Sequence, residues 1–477
     1  MPRAIVVPSA AAILTLISWL GPASSTATEW SRFRGPNGSG VSADQGLPVE
    51  FGAGRGVAWA TEVPFGRSSP VLSGDRVFLT AVEDGKLVTL ALDRASGALL
   101  WKQSIDRTRE ADLYYGTDSA SATPVTDGHN VYAFFHEVGV VSYTSDGAQR
   151  WRHEMGPFRN FYGIAASPIL AEDRLYMVAD QVDGSFVVAL DAASGKEVWK
   201  QPRPGRPESY ATPVLYPDAA SPEVLLVLGS SWVDAYDPKS GVVRWSMPGL
   251  GVGPVASPAL DRDLLVVSAP DQAPEPMPPF ADILRERDAD GDGRLSPQEV
   301  EDYWMKNHFG FVDADADGLI TAADYGRLEA EMPSDAWGVF GVRLAGSSDQ
   351  PEIVWNVRQS VPYIPSPLLY AGAAWVLKDS VLTTLDPATG EVLKRGRLAD
   401  GKAGTNASPV GADGKVYVAT TDGKVVVLSA AAQWEVLAEN DMGEPIHATP
   451  AIAGGDLFVR TDSRMYRLTA AAPQPGR

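Results

Sequence analysis

The sequence predicts an all-β fold. The expectation is an eight-bladed β-propeller of four-stranded blades, closed by an N-terminal strand, with a small α-helical insertion in blade five. Three observations lead there. A short motif recurs: a small residue, Ser or Thr, Pro, an apolar strand, then a Gly or Asp turn. It stands at Ser69-Pro70, Thr123-Pro124, Ser167-Pro168, Thr212-Pro213, Ser257-Pro258, Ser366-Pro367, Ser408-Pro409 and Thr449-Pro450. The proline intervals are 54, 44, 45, 45, 109, 42 and 41, the period of a propeller blade. The long interval falls to 46 once residues 271–333, of quite different composition, are set aside.

Residues 1–27 read as a targeting segment. Arg3 gives a short basic region, residues 4–21 are almost wholly apolar, and small residues follow at Ala23, Ser25 and Ala27. Pro8 and the lack of a basic stop-transfer cluster favour a cleaved signal peptide over a membrane anchor. The mature protein is then expected to be exported, periplasmic or extracellular, soluble and without stable membrane insertion. With 60 acids against 40 bases the net charge is −20, which speaks against nucleic acid as a partner. There is no cysteine, so disulfides, thiolate catalysis, Cys-ligated metals and a lipoprotein anchor are excluded. The five histidines are scattered, without HExxH spacing, which disfavours a His-based zinc site.

Residues 57–63, VAWATEV, precede the first motif and have no blade of their own. They are expected to supply the outer strand of blade eight and so remove an exposed edge. Within one copy, residues 68–102, four apolar or alternating runs are separated by Ser73-Gly74-Asp75, Glu83-Asp84-Gly85 and Ala95-Ser96-Gly97. These are hairpin-turn sequences. A turn Gly then precedes a Trp by four residues: Gly97 and Trp101, Gly147 and Trp151, Gly195 and Trp199, Gly241 and Trp245. Trp355 closes the interrupted copy. Such a Trp can pack on the neighbouring blade. Lys394 and Ala438 stand in the slot in the sixth and seventh copies. Those two seams are expected to be the weakest, and Lys394→Trp is expected to strengthen one. Propeller blades occupy residues 28–270 and 334–470, and residues 471–477 form a disordered tail.

The motif starts, the ALD-x-x-Ser-Gly-x-x-x-Trp ends (Ala91 to Trp101, Ala189 to Trp199) and WSRFRGPNGSGVS (30–42) resemble the pyrroloquinoline-quinone-like (PQQ-like) propeller family. That family includes quinoprotein alcohol dehydrogenases and the propeller subunit of the outer-membrane β-barrel assembly machinery. The resemblance implies the fold across about residues 30–470. It says less of function, because a repeat motif is built from packing and turn residues.

The insertion carries the sharpest chemical motif. The twelve-residue Ca²⁺ loop places oxygen ligands at positions 1, 3, 5, 9 and 12, Gly at 6 and a backbone carbonyl at 7. The first loop matches with Asp288, Asp290, Asp292, Gly293, Arg294, Ser296 and Glu299. The second, residues 313–324, matches with Asp313, Asp315, Asp317, Gly318, Leu319, Thr321 and Asp324. Asp324 is one methylene shorter than Glu, which shifts that site towards Mg²⁺ or weaker Ca²⁺ binding. Helices are expected over 281–287, 297–309 and 322–332, with Leu295 and Ile320 pairing between the loops. This pattern is that of a paired EF-hand between Pro-rich linkers. It interrupts blade five between its second and third strands, on the face where the loops enter each first strand.

That face gathers Tyr115, Arg159, Tyr162, Tyr210, Asn406 and His447 as ligand candidates. No catalytic residue is assigned, and a lone His is read as structural. Three functions compete. The first is an exported, non-catalytic, Ca²⁺-binding scaffold for an unknown protein or small molecule. The second is a PQQ-dependent dehydrogenase. The resemblance implies a vicinal Cys pair over that cofactor, absent here, so PQQ is disfavoured. The third is an envelope assembly subunit, whose relatives carry a lipoprotein Cys that this chain lacks.

Overall fold

The computed structural model describes residues 29–470, without 110–116, 161, 183, 271–277, 304, 307–308, 314, 316, 332–335, 345–349 and 399–403. Eight four-stranded antiparallel sheets make up the propeller. Blade one runs outward in chain order through Val71–Ser73, Arg76–Glu83, Lys86–Asp93 and Leu99–Ile105. Blades two to seven repeat that order. First strands of neighbouring blades touch one another from blade one to three and from five to eight, and again between eight and one, so they form the inner ring. The second and third strands are buried almost throughout, because each sheet is covered on both faces by its neighbours. In Phe186–Asp191 only the last residue is even partly exposed. The outermost strands have one solvated face, and in Glu197–Pro202 only Trp199 is buried.

Closure follows the sequence expectation. Blade eight is ordered Ala451–Ala453, Asp456–Arg460, Arg464–Leu468 and then Val57–Glu62. Trp59 pairs with Arg467, Ala60 with Tyr466 and Thr61 with Met465. Arg460 fastens the same junction from inside. Its guanidinium donates to the carbonyls of Ser68 (3.0 Å), Thr80 (2.9 Å) and Pro64 (3.0 Å).

The Gly and Trp of each repeat act on opposite sides of a seam. The Trp of one blade lies flat on the turn Gly of the next. A Cβ on Gly195 would sit 2.4 Å from the Trp151 ring, and one on Gly97 would sit 2.6 Å from the Trp59 ring. Both glycines also have positive φ, 70° and 75°. Except at Trp245, whose indole nitrogen is buried without a partner among the described residues, the indole N–H completes the seam by donating to a carbonyl in the same turn. Trp59 donates to Arg94 (3.0 Å), Trp101 to Ser145 (2.7 Å), Trp151 to Ala192 (3.1 Å), Trp199 to Pro238 (3.1 Å) and Trp355 to Pro387 (2.9 Å).

The two seams without that Trp are filled by other groups. Between blades six and seven the indole comes from the other side. The Trp434 ring, 4% exposed, lies 4.3 Å from the Lys394 ammonium. Lys394 donates to the Trp434 carbonyl, and a Cβ on Gly396 would meet the same ring at 2.9 Å. Lys394→Trp therefore puts a second indole where one already sits. It is expected to lower stability by about 1–3 kcal/mol through overpacking; a melting temperature at or above wild type would contradict this seam. At blades seven and eight, Leu47 and Phe51 are buried in one apolar cluster with Tyr417, Phe458 and Tyr466, and Ala438 packs against it. The Phe51 N–H donates to Asn440 Oδ1 at 2.8 Å, and the Tyr417 hydroxyl donates to the Pro48 carbonyl at 2.9 Å.

The recurring Ser or Thr has a role that the sequence did not disclose. The backbone N–H of each motif residue donates to the motif hydroxyl of the next blade. The series runs Ser69, Thr123, Ser167, Thr212, Ser257, Ser366, Ser408, Thr449 and back to Ser69, at 2.9 to 3.1 Å. Eight bonds close a ring around the axis, each contributing about 1 kcal/mol net. Residues 30–42 cross that axis on one side. Trp30 pairs with Leu72 of blade one, and the Thr126 N–H of blade two donates to the Ser31 carbonyl at 2.9 Å. Asn37 exchanges bonds with Leu215 of blade four, and the Ser42 N–H donates to the Gly411 carbonyl of blade seven at 3.0 Å.

The insertion leaves blade five after Leu264–Ala269 and returns at Gly338–Arg343, and these strands pair directly, Leu264 with Arg343 and Ala269 with Gly338. Its helices are α1 (Phe280–Arg287), the short α2 (Phe309–Val312) and α3 (Ala322–Glu331). The helix expected over 297–309 is not continuous. Its described part is a run of i→i+3 turns, such as Tyr303 N–H to Val300 O at 3.0 Å. Val300 and Met305 are both fully buried, and an α-helix would set residues five apart on different faces. The expected pairing between the loops is present: Leu295 N–H donates to Ile320 O at 2.9 Å and Ile320 N–H to Leu295 O at 2.8 Å. Among the described residues, no helix is long and apolar enough to cross a membrane. Residues 1–28, the proposed signal peptide among them, and the tail 471–477 lie outside the described residues.

Candidate functional site

The two acidic loops share one local geometry. Gly293 and Gly318 have φ of 79° and 88°, the left-handed turn that glycine takes without a Cβ clash. In the first loop the Asp288 carboxylate accepts the N–H groups of Gly291 (2.7 Å) and Gly293 (2.9 Å). Glu299 folds back across the loop. It accepts from the Ala289 N–H through one oxygen, and from the Ser296 N–H and hydroxyl through the other, all at 2.8 Å. The Ser296 bonds, with help from Ala289, hold Glu299 below the ordinary carboxylate range. One oxygen from each of Asp288, Asp290 and Asp292 falls within 4.8 Å of the others. Arg294, whose side chain needs no role in the template, pairs with Asp292 at 2.8 Å.

Asp313, Asp315 and Asp317 make an equal cluster in the second loop. Asp324 accepts from the Thr321 N–H at 2.9 Å and its hydroxyl at 2.5 Å. The Leu319 N–H donates to Asp317 at 2.9 Å. Asp313 is 5% exposed. One of its oxygens accepts the Gly318 N–H at 3.1 Å; the other is buried without a hydrogen-bond partner. Burial, and then the neighbouring Asp317 and Asp315 charges, push its carboxyl up. Three close carboxylates, one partly desolvated, suit a divalent cation that neutralises them together.

The propeller reaches this loop. Arg159, in the loop before the first strand of blade three, donates to the Asp313 carbonyl at 2.9 Å. Tyr162 in the same loop meets Tyr363 hydroxyl to hydroxyl at 3.3 Å and packs edge-on against Tyr210, centroids 5.4 Å apart. Tyr210 is 7% exposed, and burial together with Glu208 raises its hydroxyl well above the ordinary value.

Tyr210 also borders an axial cavity of about 180 Å³. The eight motif hydroxyls ring it, Phe33 of the crossing segment lines it, and Arg67, Asn406 and His447 contribute to its wall. Asn406 Nδ2 and His447 Nδ1 are 3.0 Å apart. His447 is not the isolated side chain that the sequence suggested, because Asp462 lies 3.7 Å from its Nε2. Burial and the Arg67 charge nevertheless hold its pKa down, against Asp462 and Asp118.

Of the six ligand-face candidates, Arg159 touches the second loop, Tyr162 from the same propeller loop packs on Tyr210 at the cavity, and Asn406 and His447 form a pair in its wall. Tyr115 lies outside the described residues. Sequence reasoning missed Arg67 and the hydroxyl ring; the repeated Ser or Thr was its only signal.

The PQQ-like resemblance implies quinone and Ca²⁺ together in the dehydrogenases. Among its described lining residues the axial cavity has no Asp or Glu. The lining thus offers neither an anionic oxygen ligand for Ca²⁺ nor a carboxylate base, so these residues do not fit such a centre.

An eight-bladed propeller with an axial cavity and an acidic two-loop insertion defines the class. The family model described as "Outer membrane protein assembly factor BamB" matches residues 59–145, 89–249 and 378–476, more than half the chain. The chain belongs to this PQQ-like propeller family. A relative of that name from Kangiella koreensis is 25% identical over 135 residues, 28% of this chain and 32% of its own length. This chain thus matches about a third of that relative. Among solved structures, BamB from Moraxella catarrhalis superposes with a TM-score of 0.54 at 13% identity, covering 88% of this chain and 100% of that one. The quinohemoprotein alcohol dehydrogenase from Comamonas testosteroni gives 0.59 at 11% identity, covering 94% and 82%. At such identities the structures speak for the fold alone.

Proposed function

We propose that this protein is an exported, non-catalytic propeller scaffold that binds a partner on the face carrying a Ca²⁺-loaded EF-hand pair. One observation supports the reading above the others. The second loop presents a buried, unpartnered Asp313 oxygen, and the backbone carbonyl of the same residue accepts from Arg159, in the propeller loop that also carries Tyr162. A cation there would set the position of the partner-binding loops. The second site takes Ca²⁺ or, with the shorter Asp324, Mg²⁺. An exported protein meets enough Ca²⁺ to fill sites as weak as about 10⁻⁴–10⁻³ M. Cleavage of residues 1–27 would release it as a soluble protein.

A second reading, a role in outer membrane protein assembly, is favoured by the family match and the name of the Kangiella koreensis relative. On that reading the partner is a protein. A photo-crosslinking residue placed at Tyr162 tests both. The expected result is one discrete, Ca²⁺-dependent adduct, absent when the crosslinker sits at Val242 on the outer rim. Equal labelling at the two positions, with or without chelator, would count against a binding face. An adduct with another assembly component selects the second reading.

A further inference from the structure

The bonds that close the propeller leave a residue of unused donors. Each motif hydroxyl oxygen accepts one backbone N–H and retains its own O–H proton. None of the eight donates to an acceptor among the described residues. All eight side chains are at most 6% exposed, and all border the axial cavity. A buried polar group without a partner is costly to keep. Among the other polar wall groups Arg67 and Asn406 carry more N–H groups than their contacts with Asp118 (3.6 Å) and His447 (3.0 Å) use, whereas the Tyr210 hydroxyl already donates to Glu208 at 3.4 Å.

Charge points the same way. Arg32 and Arg34 flank Phe33, the residue lining the cavity. Their guanidinium groups donate to the carbonyls of Pro213 (2.8 Å) and Pro367 (2.5 Å), the residues directly after ring members Thr212 and Ser366. Both side chains are buried, 4% and 0% exposed, and neither has a carboxylate partner among the described residues. Burial lowers them only to about 9, so both stay charged at neutral pH. A chain of net charge −20 thus places positive charge beside a cavity ringed by eight unused hydroxyl protons. A cation would be repelled by that charge, and a neutral polyol would engage the hydroxyls but leave the charge unmatched. An oxyanion matches both features.

We propose that the axial cavity is an oxyanion site, in which the hydroxyl ring, Arg67 and Asn406 donate to a small phosphate, sulfate or carboxylate group. This deepens the reading of the loop face as a ligand face, and it needs no cation in the insertion. The test is calorimetry on the full mature chain in Ca²⁺. Inorganic phosphate, sulfate and acetate are titrated separately, with ionic strength held constant by chloride. One-to-one saturable binding of at least one is expected, and the strongest arm names the group. Arg67→Met and Asn406→Leu should each weaken it about tenfold or more. Asn406 lies outside the closing ring, so its variant should fold even if a ring variant does not. Crystals grown in selenate should show an anomalous peak inside the ring. No saturable heat with any of the three, unchanged affinity in both variants, or selenate confined to the surface would overturn the proposal. A Ca²⁺ titration on the same sample separates the two ideas: silence with Ca²⁺ but heat with an oxyanion removes the EF-hand reading and leaves this one standing.

Discussion

A chain beginning at Val63 is expected to lose its cooperative fold. The truncation removes Val57–Glu62, the outer strand of blade eight, and leaves Arg464–Leu468 as an unpaired edge. It removes Trp59, which covers Gly97 of blade one and donates to the Arg94 carbonyl. Losing a packed Trp alone costs about 3–5 kcal/mol, against a usual domain stability of about 5–15 kcal/mol. It also removes the crossing segment, with Leu47 and Phe51 at the last seam. Circular dichroism and urea titration of the truncated chain, beside Trp59→Ala, would read the result. Trp59→Ala should fold with a lower midpoint, and the truncation should give no cooperative transition. A truncated chain with a near-wild-type midpoint would mean that closure is not held by this strand.

Gly195→Ala is expected to cost about 2–5 kcal/mol, an unusual loss for one methyl group. Two terms combine. An L-residue at φ of 70° carries about 1–2 kcal/mol of backbone strain. The new Cβ, at 2.4 Å from the Trp151 ring, adds about 1–3 kcal/mol of overpacking. Gly74→Ala separates the terms. Gly74 also has positive φ, 55°, but a Cβ there meets nothing within 4 Å. It should show the backbone cost alone. Equal urea midpoints for the two variants would show that the seam yields easily and that the Trp contact contributes little.

Most of the architecture was legible because propeller repeats write their geometry into sequence at a fixed period. The motif prolines counted the blades. The Gly-to-Trp spacing marked the seams, and an unassigned Trp59 pointed to the closing strand. What stayed hidden depends on contacts between distant positions. Trp434 replaces the missing indole from the opposite side of its seam, and nothing near Lys394 in the chain says so. Leu47 and Phe51 serve a seam about 390 residues away. The cavity shows the same limit. Ser or Thr before Pro reads locally as strand-start chemistry, yet it is a ring only in three dimensions. His447 gained its carboxylate from Asp462, on a different strand connection. The acidic loops are the contrary case. All their ligand candidates lie within twelve residues, so the template was readable directly, while the Arg159 contact that ties one loop to the propeller was not.

The proposal that the insertion binds cations on the ligand face is tested most directly by calorimetry with Ca²⁺ on the metal-stripped full chain. Two binding events are expected in the wild type. Glu299→Gln should remove or strongly weaken one, since that carboxylate completes the first loop, and Asp324→Glu should tighten the other by restoring the longer ligand. A wild-type titration without Ca²⁺ heat, or variant titrations identical to it, would contradict cation binding by the insertion.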